Sequence, residues 1–231
     1  MNPEAHTAPS PVADAHVVIV GLGGLGTPAA RGLAAEGVGA LTLWDGDTVA
    51  PSNLHRQVLY SDDDLGRPKV DVARERLEHE HPALCVATTR RRFTPDDAAL
   101  LRDADVVLDG TDSIEAKFIV NDAAVTAGVP LVHAGAVGTR AQLLTVLPRE
   151  TACYRCVFEE APPEGDLPAC QEAGVIGPIV NLAGSLQAAE AVRLLDGAPP
   201  FFAGRIVSID AWSARSRSVS VRRRADCPTC T

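Results

Sequence analysis

Two sets of residues in this chain are spaced for chemistry. One is a pair of Cys-x-x-Cys sequences, Cys153–Cys156 and Cys227–Cys230. The short spacer lets both sulfurs of a pair reach one ion, and four thiolates with no open position suit a structural Zn²⁺. A redox Cys-x-x-Cys needs only one pair, so the doubling favours a metal. The other set is Gly21-Leu22-Gly23-Gly24-Leu25-Gly26, between the β-branched run His16–Val20 and a helix-forming stretch. A strand, glycine turn and helix in that order present backbone N–H groups and a positive helix end to a phosphate. Asp45, which ends the next apolar run, is placed to bond ribose hydroxyls. Turn and acid by themselves serve a dinucleotide such as NAD as well as a mononucleotide.

The charges that follow narrow the ligand to ATP. Ser52-Asn53-Leu54-His55-Arg56-Gln57 and Arg67-Pro68-Lys69 place cations in an otherwise acidic chain. Arg clamps phosphate oxygens bidentately and Lys acts as a point charge. The pyrophosphate of NAD seldom needs two such cations. A triphosphate under attack does, because charge builds on it in the transition state. Asp109-Gly110-Thr111-Asp112 ends a further strand, and open α/β sheets bind ligands at the carboxyl ends of their strands. Asp112, with Ser113 beside it as a nucleotide contact, is placed to hold Mg²⁺ through oxygen ligands. Asp112 equally suits the N-cap of the helix that follows.

The elements needed to position these residues are legible. Strands are expected at His16–Val20, Ala40–Asp45, Leu84–Thr89, Asp105–Asp112 and Pro130–Gly135. Helical patterns lie between them, at 68–80 and 114–127, with a shorter one at 95–102. Alternating strands and helices imply a parallel sheet with right-handed crossovers. The pattern then changes: a strand at 141–148, a Pro/Gly-rich crossover loop at 159–177, a long apolar helix at 178–196 and two antiparallel strands at 205–210 and 218–223. The expected fold is α/β, a doubly wound Rossmann-like and mostly parallel sheet with a C-terminal antiparallel extension and a four-cysteine zinc site. Residues 1–15 read as a flexible N-terminal tail. Residues 16–231 read as one domain, with a nucleotide-binding half at 16–135 and a zinc-tied half at 136–231.

The bulk numbers agree with that plan. A chain of 231 residues, 46% hydrophobic, has enough apolar material for one sizeable core. A net charge of -9 repels phosphate backbones and anionic lipid, which argues against nucleic-acid or membrane partners. No signal peptide or apolar membrane span is recognised, and the paired cysteines suit a reducing, cytoplasmic setting.

Taken together, GLGGLGTPAA, LTLWDGDTV, SNLHRQ, GRPK, DVVLDGTD, CYRC, AGVIGP, GSLQAAEA and CPTC resemble the ThiF/MoeB/HesA family. These are relatives of the ubiquitin-activating E1 enzymes, and the motifs stand closest to ThiF. The resemblance runs from about residue 16 to the end. It implies an ATP-dependent adenylyltransferase that activates the C-terminal Gly-Gly carboxylate of a ubiquitin-like, β-grasp sulfur-carrier protein. The product is an acyl-adenylate, and sulfur then replaces AMP to give a thiocarboxylate. It implies Gly24 in the phosphate turn, Asp45 on the ribose, and Asn53, Arg56 and Lys69 on the phosphates with Gln57 nearby. It also implies Mg²⁺ at Asp112, zinc on the four cysteines, a homodimer and a separate sulfur donor.

Cys170, in PACQEAG, matches the family position at which ThiF links covalently to its carrier. An incidental loop cysteine is the alternative there. Cys85 reads as a small buried apolar residue, His133 as a hydrogen-bonded residue at a strand end, and His55 as a packing or ribose-side residue. One departure stands out: the family usually has an Arg-rich segment before the glycine turn that reaches the neighbouring subunit's ATP site, and residues 1–15 contain no Arg. Another cation then substitutes, or the site is weakened, or the chain relies on a partner. That departure keeps open a pseudo-E1 scaffold that binds the carrier without turnover, and within the same fold an E1-like enzyme acting on a different carboxylate is a further alternative.

Overall fold

The computed structural model describes residues 12–160 and 174–230. Eight strands form one sheet in the order β3-β2-β1-β4-β5-β6-β7-β8. β1 (His16–Val20), β2 (Ala40–Trp44), β3 (Cys85–Thr89), β4 (Val106–Asp109) and β5 (Leu131–Val137) run parallel. β6 (Arg140–Val146), β7 (Arg205–Asp210) and β8 (Arg215–Ser220) continue the sheet antiparallel. The chain winds outward from β1 toward β2 and β3, then returns to β4 on the other side. β1 and β4 therefore flank the switch point, where the crossovers diverge and a crevice opens at the strand ends.

Alternating side chains of β1 divide the core. Val17 and Ile19 face one layer, with Ala29, Ala30 and Leu33 of α1 (Gly26–Ala35), Val70 and Leu77 of α2 (Lys69–Glu80) and Ala188 of α5 (Gly177–Leu195). Val18 and Val20 face the other, with Val120, Ala123 and Ala124 of α3 (Ile114–Ala127) and the cysteines around α4 (Tyr154–Val157). This period of two, with both faces buried, is what a parallel sheet requires. α3 has clear ends. Ser113 accepts the N–H of Ala116, and Gly128 adopts the left-handed conformation at φ 76°.

α5 crosses closely over α1. A Cβ on Gly184 would lie 2.2 Å from the Leu25 carbonyl oxygen, and one on Gly32 would lie 3.0 Å from Cβ of Ala188. Small residues at the crossing let α5 drop onto the start of α1, beside the glycine turn. Among the described residues, no helix is long and apolar enough to cross a membrane.

The structure departs from the sequence expectations in four places. Cys85 is exposed, because β3 is the last strand of the sheet and Cys85 lies on its uncovered side. The final strand begins at Arg215, three residues before the expected start, because an Arg/Ser alternation on an exposed edge has no apolar face to mark it. Residues 95–101 form a 3-10 helix, opened by a capping box between Thr94 and Asp97. Residues 1–11 of the expected tail lie outside the described residues, and within 12–15 both Val12 and Ala15 are buried.

Gly184→Ala tests the helix crossing. The added methyl meets backbone, so α5 must move. With overpacking at about 1–3 kcal/mol and about 2–4 °C per kcal/mol for a chain of this size, the melting temperature should fall by roughly 2–12 °C. An unchanged melting temperature in thermal denaturation would show that the crossing is looser than described.

Candidate nucleotide site and cysteine cluster

The glycine turn leaves β1 at the switch point. Gly21 has φ +92°, which a side chain resists, and its N–H donates to the Trp44 carbonyl at 2.7 Å. A Cβ on Gly21 would lie 2.8 Å from the carbonyl carbon of Gly110, and one on Gly26 would lie 1.9 Å from the Gly21 oxygen. On Gly24 it would lie 2.9 Å from Cγ2 of Val180 on α5. These three are glycine because the chain packs against itself. Gly23 differs: the nearest atom to a Cβ there is Nε2 of Gln57 at 3.7 Å. None of the described residues crowds it, and open backbone at this position is what a closely approaching phosphate needs.

Asp45, at the tip of β2, closes one side. Its Oδ2 accepts the Leu22 N–H at 2.7 Å and its Oδ1 the Asp47 N–H at 2.8 Å. Burial raises the Asp45 carboxyl above its ordinary range, against the lowering effects of Lys69 and the two N–H groups. Lys69 opens α2 and is buried, with Nζ 3.1 Å from Oδ2 of Asp47. The Tyr60 hydroxyl donates to the Leu22 carbonyl at 3.1 Å and braces the turn from behind.

The segment after β2 closes the other side. Pro51–Asn53 form a 3-10 turn, and the Arg56 guanidinium donates to the Ser52 carbonyl at 2.8 Å. Ser52 and His55 are exposed, while Asn53 and Arg56 are half-buried. A Cβ on Gly24 would lie 3.5 Å from Cγ of Arg56, which places that side chain beside the turn. Gln57 is buried, and its Oε1 has no hydrogen-bond partner among the described residues. A buried amide oxygen without a donor among the described residues leaves room beside the glycine turn for a donor from elsewhere in the chain or from a bound group.

β4 supplies the third wall. Gly110 packs directly on the glycine turn, with a Cβ there 2.6 Å from the Gly21 oxygen. Asp112 and Ser113 follow it and are exposed at the strand ends. The helix N-cap is Ser113, which leaves the Asp112 carboxylate outside that duty. The structure thus brings Gly21, Gly23, Gly24 and Gly26 together with Arg56, Gln57 and the Asp45–Lys69 pair at the end of β1, and sets Gly110, two residues before Asp112, directly on that turn. Cys170 lies outside the described residues.

Beneath that wall lies a network of which the sequence marked only His133, as a hydrogen-bonded residue at a strand end. Asp109 is fully buried and accepts from Lys117 Nζ at 2.9 Å and His133 Nδ1 at 2.7 Å. Burial opposes its charge, but Lys117 and the His133 hydrogen bond more than offset this and hold the carboxyl well below its usual range. Burial pushes His133 below its ordinary value, so the ring is neutral at neutral pH and donates through Nδ1–H. Its Nε2 is buried without a partner among the described residues, beside a cavity of about 50 Å³ lined also by Gln142, Tyr154 and Phe158. That volume holds a water molecule. Gln187 of α5 donates to the carbonyls of Asp109 and Val132, both at 2.9 Å. Beyond His133, a lone Lys and a lone Gln in apolar helices were the signals of this network.

Comparison with known proteins places the chain. A ThiF family profile matches residues 9–229. The chain belongs to the ThiF family. It is 43% identical over 223 residues to the sulfur carrier protein adenylyltransferase of Thermus thermophilus, covering 94% of this chain and 82% of the relative. It is also 43% identical to the sulfur carrier protein ThiS adenylyltransferase of Escherichia coli, covering 94% of this chain and 86% of that one. Among solved structures, E. coli MccB with ATP superposes with a TM-score of 0.84 at 26% identity, covering 95% of this chain and 68% of MccB.

In this ThiF-family chain the four cysteine sulfurs lie within 4.8 Å of one another and could hold a metal ion. The helix α4 and the chain end bring the pairs together, and both are fastened to α3. The Tyr154 N–H donates to Asn121 Oδ1 at 2.8 Å, and Arg155 Nε donates to both Asp122 oxygens at 2.9 Å. Thr229, from the chain end, donates to the same Asp122 at 2.9 Å. Arg223 donates to the carbonyls of Arg149 and Cys230.

A metal held by the four cysteines would therefore tie residues 227–230 to α4 and α3. Cys227→Ser should lose the metal and melt at least roughly 5 °C lower, because such a site contributes folding energy. Elemental analysis and thermal denaturation check this. A metal-free wild type, or a variant with unchanged metal content, would contradict it.

Proposed function

We propose that this ThiF-family chain is an ATP-dependent adenylyltransferase that activates the C-terminal Gly-Gly carboxylate of a ubiquitin-like sulfur-carrier protein. The observation that carries the reading is the packing of Gly110 on the glycine turn, which brings the end of β4 that bears Asp112 toward the open backbone of Gly23 and the flanking cations Arg56 and Lys69. Its setting in a family whose relatives are named sulfur carrier protein adenylyltransferases favours this use of ATP over nicotinamide chemistry.

Each group then has a role. Gly21–Gly26 cradle the phosphates on backbone N–H groups, and Asp45 with Ser52 and Ser113 contacts the nucleoside and its surroundings. Asn53, Arg56 and Lys69 hold phosphate oxygens with Gln57 nearby, and the unpartnered Oε1 of Gln57 accepts from a donor such as a ribose hydroxyl. Asp112 holds Mg²⁺ together with phosphate oxygens, the oxygen donor set this ion prefers. The carrier's carboxylate oxygen attacks the α-phosphorus, a new C–O–P linkage forms, and the bond to the β-phosphate oxygen breaks with its electron pair. Pyrophosphate leaves and an acyl-adenylate remains. No general base is needed, because an α-carboxyl with a pKa of about 3.5 is already ionised. Arg56 and Lys69 act on the charge that grows during this step.

The cysteine cluster fits zinc. Zinc–thiolate bonds of about 2.3 Å in a tetrahedron require sulfur–sulfur edges of roughly 3.8 Å. The sulfurs stand at 3.3 Å (Cys156–Cys230), 3.6 Å (Cys153–Cys227) and 3.9 Å (Cys153–Cys156). Reduced thiolates and ATP chemistry fit a cytoplasmic enzyme. A homodimer and a separate sulfur donor complete the reading. Cys170 is assigned to sulfur transfer, downstream of adenylation.

Labelled pyrophosphate should exchange into ATP only when a Gly-Gly-ended carrier is present. Asp112→Ala should abolish exchange, with a loss of about 100-fold or more, while Cys170→Ala should leave it unchanged. Carrier binding without any exchange in zinc-loaded wild type would favour the pseudo-E1 scaffold. Exchange retained in Asp112→Ala would remove the Mg²⁺ assignment.

A further inference from the structure

The buried carboxylate of Asp109 is used on both sides. Its Oδ1 accepts the Thr111 N–H at 3.0 Å and the Thr111 hydroxyl at 2.6 Å. That side-chain bond to the backbone two residues on closes an Asx turn over Asp109-Gly110-Thr111. Its Oδ2 accepts from Lys117 Nζ at 2.9 Å and from His133 Nδ1 at 2.7 Å. Lys117 also donates to the Ala134 carbonyl at 2.6 Å, which ties α3 to β5. The Asp109 carbonyl is taken by Gln187.

None of these groups faces the crevice. The turn they shape does: its middle residue, Gly110, packs against Gly21 and Gly26, and its next residue is Asp112. We propose that Lys117, acting through Asp109, is a positioning residue for the metal–phosphate end of the site, setting where Asp112 stands relative to the glycine turn. The inference rests on the ATP reading above.

A role in folding alone accounts poorly for the arrangement. A buried ion pair is often no more stabilising than apolar side chains of the same size. Here Lys117 and Asp109 are both buried, where an apolar pair would serve packing equally. The carboxylate is needed by the Thr111 turn, and the ammonium is what keeps that carboxylate ionised and aimed.

The test compares the full chain as wild type, Lys117→Met and Thr111→Val. Calorimetry measures binding of a non-hydrolysable ATP analogue with and without Mg²⁺, and denaturation measures stability separately. Lys117→Met should melt lower and should raise the Mg²⁺ concentration for half-maximal analogue binding by about 10- to 100-fold, as loss of a supporting partner around a metal site does. Its Mg²⁺-free affinity should stay close to that of wild type. Thr111→Val keeps the ion pair and removes only one bond to the carboxylate. It should shift the Mg²⁺ requirement in the same direction by a smaller factor, and it decides the matter if Lys117→Met does not fold.

A folded variant with the wild-type Mg²⁺ requirement, whatever its melting temperature, would make Lys117 merely structural and overturn the proposal. Wild type that binds no analogue would instead sink the ATP reading. Wild type that binds analogue but shows no carrier-dependent exchange would remove the adenylation step and leave this comparison intact.

Discussion

Two turns meet without side chains at the switch point between β1 and β4, and the candidate site depends on that contact. Gly21 and Gly110 leave neighbouring parallel strands and press backbone on backbone, at distances where any Cβ would collide. Because they touch, the glycine turn and the turn that leads to Asp112 share one position. The sheet sets the strand ends, the glycines remove the obstacle, and the Asp109–Lys117 pair fixes the second turn from below. α5 closes the arrangement from above, with Val180 on Gly24 and Gly177 against the His55 carbonyl.

The placement of charge in the crevice follows from the same layout. An acidic chain sets its cations, Arg56 and Lys69, on the loop and helix that flank the glycine turn. Each is held locally: Arg56 on the Ser52 carbonyl and Lys69 on Asp47. These local bonds keep the cations in place beside the glycine turn. Asp45 is held differently, by two backbone N–H groups, and serves as part of the frame of the turn as well as a candidate ribose contact.

Much of this was legible in the residues. The glycine turn, the β-branched runs and the helical spacing of α2 and α3 carry periodic signals that local physics alone enforces. The paired cysteines were legible because metal ligation constrains spacing directly. The hidden part is non-periodic. Lys117 is one polar residue in an apolar helix, and nothing in its neighbourhood reveals that it meets Asp109 and Ala134 from other elements. Gln187 is the same case on α5. Cys85 misled because apolar β-branched neighbours look alike on a central and an outer strand, and only the sheet order separates them. β8 was displaced because an exposed Arg/Ser strand follows its partner β7 rather than a pattern of its own.

Adenylation of a carrier's carboxylate is the central claim, and intact-mass spectrometry tests it most directly. A Gly-Gly-ended β-grasp carrier would be incubated with the chain, ATP and Mg²⁺ in the absence of a sulfur donor. The account predicts an adduct of the carrier's mass plus AMP less water, formed only with ATP and lost in Asp112→Ala. A carrier that stays unmodified while bound to zinc-loaded, ATP-saturated protein would contradict it.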